Sequence, residues 1–115
     1  MSNPVRVALI GCGRIAQVAH LPALEKADGV RLVAVSDPSA EVAESVARRY
    51  GVPSAYTDQE HVLADESVEG VIVAAPDRFH YPITAEALRA GKHVLVEKPL
   101  ASTVAEAEAL SDLVE

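Results

Sequence analysis

The chain has 115 residues, enough for one domain around one core, and half of them are apolar although only 3% are aromatic. Ten Lys and Arg against 17 Asp and Glu give a net charge of −7, which disfavours nucleic acid as a partner. The single cysteine, Cys12, excludes an internal disulfide and a thiolate zinc site, and no apolar stretch is long enough for a membrane span or a signal peptide. These features predict a compact cytoplasmic domain without a metal or a membrane partner.

The predicted elements alternate between strand and helix, and the first is an apolar strand at Val5–Ile10. The sequence GCGRIA follows at residues 11–16, where a buried strand should turn into a helix. Gly11 would permit the tight turn, Gly13 would let the backbone approach a pyrophosphate, and Ala16 would let helix and strand pack closely. The pattern therefore predicts a dinucleotide-binding turn, although a glycine-rich turn often serves packing alone.

The first helix is predicted to begin near Arg14. Its N–H groups around Arg14 and Ile15 would face the phosphates at the positive end of the helix dipole. Pro22 should kink or restart this helix, because proline cannot donate to the helix and crowds the preceding turn. Gly29 is predicted to end this first strand–helix unit.

A second strand is predicted at Val30–Ser36, and Asp37 stands at its carboxyl end. A carboxylate at this place can accept from both hydroxyls of an adenosine ribose and would repel the 2′-phosphate of NADP, so Asp37 favours NAD over NADP. No Arg at residues 38–40 offers a 2′-phosphate pocket. The alternative is that Asp37 only caps the next helix, with Pro38 in its first turn, and the two roles are compatible.

The middle of the chain continues the alternation. The periodicity predicts a helix from Ser39 to Tyr50 that stops at Gly51, a short strand at Ser54–Tyr56, and a brief helix through Leu63 with Asp58 as its N-cap. The acidic residues Asp65, Glu66 and Glu69 are interpreted as a solvated loop without chemistry.

A β-branched run predicts the fourth strand at Gly70–Ala75, broken by Pro76. The following residues emerge at the carboxyl edge of the sheet, where ligands lie in open α/β folds, so Asp77 and His80 are candidates for cofactor or substrate contacts. A single His is more often structural, and that alternative stays open. A helix from Tyr81 to Ala90 follows, with Gly91 as its stop signal.

The fifth strand is predicted at His93–Glu97 and leads into Lys98 and Pro99. Lys98 at a strand end facing the cleft could donate to a substrate oxygen, and burial and neighbouring charge could tune its pKa. The alternative for Glu97 and Lys98 is a solvated ion pair.

A last helix begins at Thr103, with Glu106 at the spacing of a capping box, and places Val104, Ala107, Leu110 and Val114 on one face.

Three segments together resemble the amino-terminal part of the glucose-fructose oxidoreductase, inositol dehydrogenase and rhizopine-catabolism (Gfo/Idh/MocA) family of NAD(P)-dependent oxidoreductases. They are GCGRIAQVAHLPAL, AVSDPS and AAPDRFHYPITAEALRAGKHVLVEKPL, and the resemblance extends over residues 4–115. It implies a hydride transfer between a nicotinamide cofactor and a sugar, a polyol or a related substrate.

The resemblance also implies roles for individual residues. Gly11, Gly13, Arg14 and Ile15 would bind the pyrophosphate, and Asp37 the adenosine ribose; Ala75, Pro76 and His80 would line the nicotinamide side; Glu97 would hold the nicotinamide ribose; and Lys98, the catalytic candidate, would orient the substrate oxygen.

We therefore expect residues 1–115 to form a doubly wound parallel α/β sheet, a Rossmann fold, in strand order 3-2-1-4-5 with NAD across its crest. Members of the family carry a second, substrate-binding domain and a sixth strand, which this chain lacks. Two hypotheses stay open: the cofactor-binding part of a dehydrogenase, or a non-catalytic nucleotide-binding or self-associating module. An unpaired fifth strand would favour homo-oligomers through Val94–Glu97 or through the exposed faces of the adjoining helices.

Overall fold

The computed structural model describes residues 4–96 and 104–114, which form a five-stranded parallel sheet flanked by helices. The strands are β1 (Val5–Ile10), β2 (Val30–Ser36), β3 (Ser54–Tyr56), β4 (Gly70–Val73) and β5 (His93–Val96). The helices are α1 (Leu21–Lys26), α2 (Ala40–Tyr50), α3 (Gln59–Ala64), α4 (His80–Arg89) and α5 (Val104–Val114).

The strand order is β3-β2-β1-β4-β5, as the sequence predicts. Ile10 at the end of β1 pairs with Ser36 of β2 on one side and with Val73 of β4 on the other. The chain leaves β1 towards β2, whereas β4 lies on its opposite side, so the connections diverge at the carboxyl end of β1. This switch point is where open α/β sheets bind their ligands.

The core has two layers, one on each face of the sheet. Alternation along the strands divides neighbouring residues between these layers, since successive side chains point to opposite faces. Ala8 and Ile10 belong to the cluster that packs towards α3 and α4, whereas Leu9 belongs to the cluster that packs towards α1 and α2. Both faces of the central strands are therefore covered, which explains their continuous apolar sequence.

The helix after β1 changes its geometry directly before Pro22. A π-helical turn, Ala16–His20, leads into α1, and the Leu21 N–H donates to the carbonyl of Ala16, five residues earlier. A wider turn accommodates a residue that has no N–H and whose ring crowds the preceding turn. The predicted kink or restart at Pro22 is confirmed.

Two expectations need correction. β4 ends at Val73 rather than Ala75, because the chain bends at Ala75 ahead of Pro76 and enters a 3₁₀ turn, Asp77–Phe79, that precedes α4. In α5 the predicted apolar face is only partly covered, since Leu110 is 3% exposed but Val104 and Val114 are 74% and 70% exposed.

The acidic loop is more ordered than a solvated loop requires. Glu69 accepts a hydrogen bond from the Arg6 backbone N–H at 2.7 Å, and Asp65 accepts from the Ser67 hydroxyl and from the Tyr56 hydroxyl. The hydrogen bonds from Ser67 are the main reason that the pKa of Asp65 lies below its usual value. These contacts attach the loop to Arg6 of β1 and to Tyr56 of β3.

Some expectations fall outside the residues that the structure describes. These are the end of the fifth strand at Glu97, the candidate Lys98, the turn at Pro99 and the helix start at Thr103. Within residues 4–96 and 104–114, every helix is too short or too polar to cross a bilayer.

Candidate functional site

A cleft of about 810 Å³ lies at the carboxyl end of the sheet, over the switch point. Its volume is within the range of about 300–1,000 Å³ that small-molecule sites occupy. Four connections form its walls, namely those after β1, β2, β3 and β4. The lining includes Gly11, Gly13, Arg14 and Ile15 after β1, Asp37, Pro38 and Ser39 after β2, residues 57–59 after β3, and Ala75, Pro76, Asp77, Arg78 and Phe79 after β4.

Gly11 is required by the fold itself. Its φ of +97° is strained for any residue with a side chain, and a Cβ would lie 2.7 Å from the backbone N of Ala75. The loop after β1 therefore touches the chain leaving β4. The first position of the pattern therefore requires glycine for two reasons, the tight turn and the close approach of the two backbones.

Gly13 differs from Gly11 because nothing in the protein excludes a side chain there. Its φ is not in the positive region, and a Cβ would meet no atom within 4 Å. The position is exposed and lines the cleft. Space at Gly13 is therefore available to a ligand that approaches the backbone, as the pyrophosphate of a dinucleotide does.

The first residues of the helix that begins at this loop line the cleft. Gly13, Arg14 and Ile15 are exposed, whereas Ala16 is fully buried against the sheet. The first N–H groups of a helix have no partner within the helix and carry its positive dipole end. The Gln17 side chain donates to the Cys12 carbonyl at 2.8 Å and fixes the loop. This arrangement suits an anion.

Asp37 reaches the same loop from β2. One carboxylate oxygen accepts from the Cys12 backbone N–H at 3.0 Å, and the other accepts from the Ser39 N–H at 3.0 Å. The N-cap of α2 is Ser39, whose hydroxyl accepts from the Val42 N–H at 3.3 Å, so the alternative that Asp37 caps this helix is wrong. Each carboxylate oxygen retains a further lone pair for a ligand hydroxyl.

Cys12 lies beneath this carboxylate and is fully buried. Burial, with a smaller contribution from the charge of Asp37, raises the pKa of the Cys12 thiol to about 12. The thiol lies 3.5 Å from the Ser36 carbonyl, to which it donates. Because a protonated thiol is a weak nucleophile, Cys12 supports the loop and is not a reactive group.

The wall after β4 contains Ala75 and Pro76, as the sequence predicts, and also Asp77. His80 is placed differently: its side chain is 1% exposed, and Nε2 donates to the Ala75 carbonyl at 2.7 Å. It lies behind the wall and does not belong to the cleft lining.

Sequence reasoning missed several lining residues. Arg78 stacks on the ring of Phe79, with Cζ 4.6 Å from the ring centroid, and both line the cleft. Residues 57–59 line it as well. They follow β3 at the carboxyl edge, and that position in the predicted topology was the signal that could have identified them.

The comparisons with known proteins agree with this geometry. A sequence model of a family described as "Oxidoreductase family, NAD-binding Rossmann fold" matches residues 5–115. D-glucoside 3-dehydrogenase of Escherichia coli is 39% identical over 111 residues, which are 96% of this chain and 32% of that protein. The scyllo-inositol 2-dehydrogenase (NAD(+)) of Bacillus subtilis is 34% identical over 114 residues, which are 99% of this chain and 33% of that protein.

Among solved structures, KijD10, a 3-ketoreductase from Actinomadura kijaniata in complex with TDP-benzene and NADP, superposes with a TM-score of 0.93 at 36% identity. The match covers 97% of this chain and 35% of that one. The chain thus spans about a third of the length of the relatives that it matches.

Proposed function

Because this chain belongs to the oxidoreductase family with an NAD-binding Rossmann fold, we propose that it is the cofactor-binding domain of a dehydrogenase or ketoreductase. The enzyme transfers a hydride between a nicotinamide dinucleotide and a sugar, a polyol or a related hydroxyl or carbonyl compound. The observation that carries the proposal is the open space at Gly13, next to a carboxylate anchored on the same loop.

The pyrophosphate lies on the loop after β1. Gly13, Arg14 and Ile15 are exposed residues of the cleft lining, their N–H groups offer hydrogen bonds to phosphate oxygens, and the helix dipole adds a favourable field. Gly11 contributes through the shape of the turn. The Arg14 guanidinium, exposed at the same helix start, adds positive charge on an otherwise acidic protein.

Asp37 holds the adenosine ribose and favours NAD over NADP. Its two oxygens are fixed by backbone N–H groups, so their remaining lone pairs have defined directions for the ribose hydroxyls. A 2′-phosphate would bring negative charge against this carboxylate. KijD10 is a relative with NADP, so the preference rests on Asp37 and not on the fold.

The nicotinamide half lies on the other side of the switch point, against Ala75 and Pro76. The bound cofactor supplies the hydride donor or acceptor. By the family resemblance, Glu97 holds the nicotinamide ribose and Lys98 donates a hydrogen bond to the substrate oxygen. Both follow β5 in the sequence, and the last described residue of that strand, Val96, lies at the same edge of the sheet as the cleft.

A second domain supplies the substrate pocket and the remaining acid-base groups. We expect residues 1–115 on their own to bind the dinucleotide without turning over substrate, because the cleft described above binds the cofactor and hydride transfer also requires a substrate held against the nicotinamide. The relatives named above give no support to a purely non-catalytic module.

A buried reduced thiol at Cys12 is consistent with a cytoplasmic setting.

The isolated chain also self-associates through β5. This strand ends the described sheet and pairs with β4 alone among the described strands, and Leu95 on it is 59% exposed. Sedimentation velocity over a range of concentrations tests this. A Leu95→Lys variant should remain monomeric at concentrations where the unaltered chain forms dimers.

Titration of the chain with NADH and with NADPH tests the proposed function. We expect NADH to bind at least about tenfold more tightly than NADPH. Asp37→Ala should weaken NADH binding by about tenfold and so remove most of the preference for NADH over NADPH. Asp28→Ala, which removes an exposed carboxylate from the turn before β2, is the matched control and should change neither affinity. Equal affinities of the unaltered chain for NADH and NADPH would contradict the role of Asp37.

A further inference from the structure

His80 is a buried histidine that the proposed binding site does not contact. It is among the largest fully buried side chains and lies at the start of α4, behind the wall of the cleft. A buried imidazole is costly unless its polar atoms are hydrogen-bonded. Its bond to the Ala75 carbonyl, at 2.7 Å, has the length of a strong hydrogen bond.

The carbonyl that accepts this bond belongs to a residue of the cleft wall. Ala75 has two backbone contacts: its carbonyl accepts from the His80 ring, and its N lies close to Gly11. The next residue, Pro76, starts the 3₁₀ turn, and its carbonyl accepts from the Phe79 N–H at 2.9 Å. These contacts therefore order the segment beyond the end of β4.

We propose that His80 is a positioning residue for the nicotinamide half of the cofactor. By donating from Nε2 to the Ala75 carbonyl, it fixes the Ala75–Pro76 peptide that forms the wall on that side of the cleft. This inference rests on the proposed function. It replaces a direct contact between His80 and the nicotinamide with an indirect action through the backbone.

The geometry also assigns a proton to one ring nitrogen of the imidazole. A carbonyl oxygen can only accept, so the Nε2 of His80 carries a proton in this structure. Glutamine can place an amide N–H near the position of Nε2, whereas leucine fills a similar volume without a donor. His80→Gln should therefore keep the function of the side chain, and His80→Leu should lose it.

The test compares two ligands that differ only in the nicotinamide. NADH and ADP-ribose share the adenosine, the pyrophosphate and the second ribose, so a general loss of structure weakens both equally. We expect His80→Leu to weaken NADH binding by about tenfold and ADP-ribose binding by less than about twofold, and His80→Gln to restore NADH binding to within about threefold. His93→Leu, which removes an exposed histidine at the start of β5, is the matched control.

A second measurement uses the unaltered chain, in case the leucine variant does not fold. The ¹⁵Nε2 resonance of His80 should shift on addition of NADH and stay in place with ADP-ribose. Equal losses of affinity for NADH and ADP-ribose in His80→Leu would overturn this inference and leave the proposed function standing. An Nε2 signal that NADH does not move would do the same. If the unaltered chain bound neither NADH nor ADP-ribose, the proposed function and this inference would both be overturned.

Discussion

The carboxylate of Asp37 accepts a hydrogen bond from the backbone N–H of Cys12 at 3.0 Å. The residue expected to bind a ribose is thus attached to the loop expected to bind the pyrophosphate. The same contact places a negative charge above a buried thiol. The proposed ribose and pyrophosphate subsites are therefore joined by a direct hydrogen bond, and the charge of Asp37 contributes to the raised pKa of Cys12.

The ionisation of Cys12 should make the stability of the chain depend on pH in the alkaline range. The pKa of this thiol rises from its ordinary value of 9.0 to about 12 on folding, so the folded state keeps a proton that the unfolded state releases. The free energy of unfolding should therefore fall as the pH rises from 9 towards 12, and Cys12→Ala should remove this part of the slope. Urea unfolding of both proteins across this range measures it.

Other groups titrate in the same range, so the comparison between the two proteins is the decisive quantity. Parallel curves of stability against pH for the unaltered chain and Cys12→Ala would contradict the raised pKa. Alkylation provides a control, since the thiol should react with iodoacetamide only after unfolding.

Gly13 and Gly51 should respond to alanine in opposite ways. At Gly13 a Cβ meets nothing and φ is not positive, so Gly13→Ala should leave the free energy of unfolding unchanged or raise it by up to about 1 kcal/mol. The same methyl group would occupy the space proposed for the pyrophosphate, so NADH affinity should fall by about tenfold or more. Chemical unfolding and NADH titration measure the two effects.

Gly51→Ala is the matched control. Gly51 ends α2 with φ of +66° and has equally open surroundings, so alanine should destabilise the fold by about 1 kcal/mol and leave NADH binding intact. A Gly13→Ala variant that binds NADH as tightly as the unaltered chain would show that this glycine serves the turn alone.

Lys92 should stabilise the fold without affecting NADH binding. Its ammonium group donates to the carbonyls of Asp65 at 2.9 Å and Val68 at 2.7 Å, at the edge of the sheet opposite the cleft. Lys92→Met keeps the apolar stem and leaves two carbonyls without this donor, so the free energy of unfolding should fall by about 2 kcal/mol. Lys26→Met, at an exposed position of α1, should cost much less. Equal stability of the two variants in urea would contradict the assignment.

Thr84 should be replaceable by valine at no cost. Its hydroxyl is buried without a hydrogen-bond partner in the part of the chain that the structure describes, next to a cavity of about 200 Å³ under α5. Thr84→Val removes the unsatisfied group and keeps the shape, so stability should stay equal or rise by about 1 kcal/mol. Thr84→Ser keeps the hydroxyl and loses a methyl group, so it should cost about 1 kcal/mol. Thermal unfolding in which the valine variant is the less stable one would show that the hydroxyl has a partner.

Most of the architecture was predictable because the local signals agree with one another. The bounds of β1, β2 and β3 are confirmed, since apolar β-branched runs stand between clear punctuation such as Gly29 and Gly51. Ala75 was assigned wrongly to β4 because its apolar side chain continues the run. The bend is imposed by the backbone of Gly11 and by Pro76, and the first of these contacts is long-range.

The candidate site was predictable in its position more than in its contacts. Motif spacing placed Asp37 near the loop after β1, but only the folded structure shows Ser39 as the cap and Cys12 as the partner of the carboxylate. His80 illustrates the same limit, because sequence cannot tell whether a histidine after a strand end faces a cleft or supports its wall. That distinction depends on the direction of one helix relative to the sheet.

The most direct measurement is a map of backbone amide shifts in ¹H–¹⁵N spectra of this chain during titration with NADH. We expect the largest shifts at Gly13, Arg14 and Ile15, followed by Asp37 and Ser39 and then by Ala75 and Asp77, all around one cleft. Absence of shifts in the loop after β1, or shifts centred on another surface while these amides stay in place, would contradict this expectation.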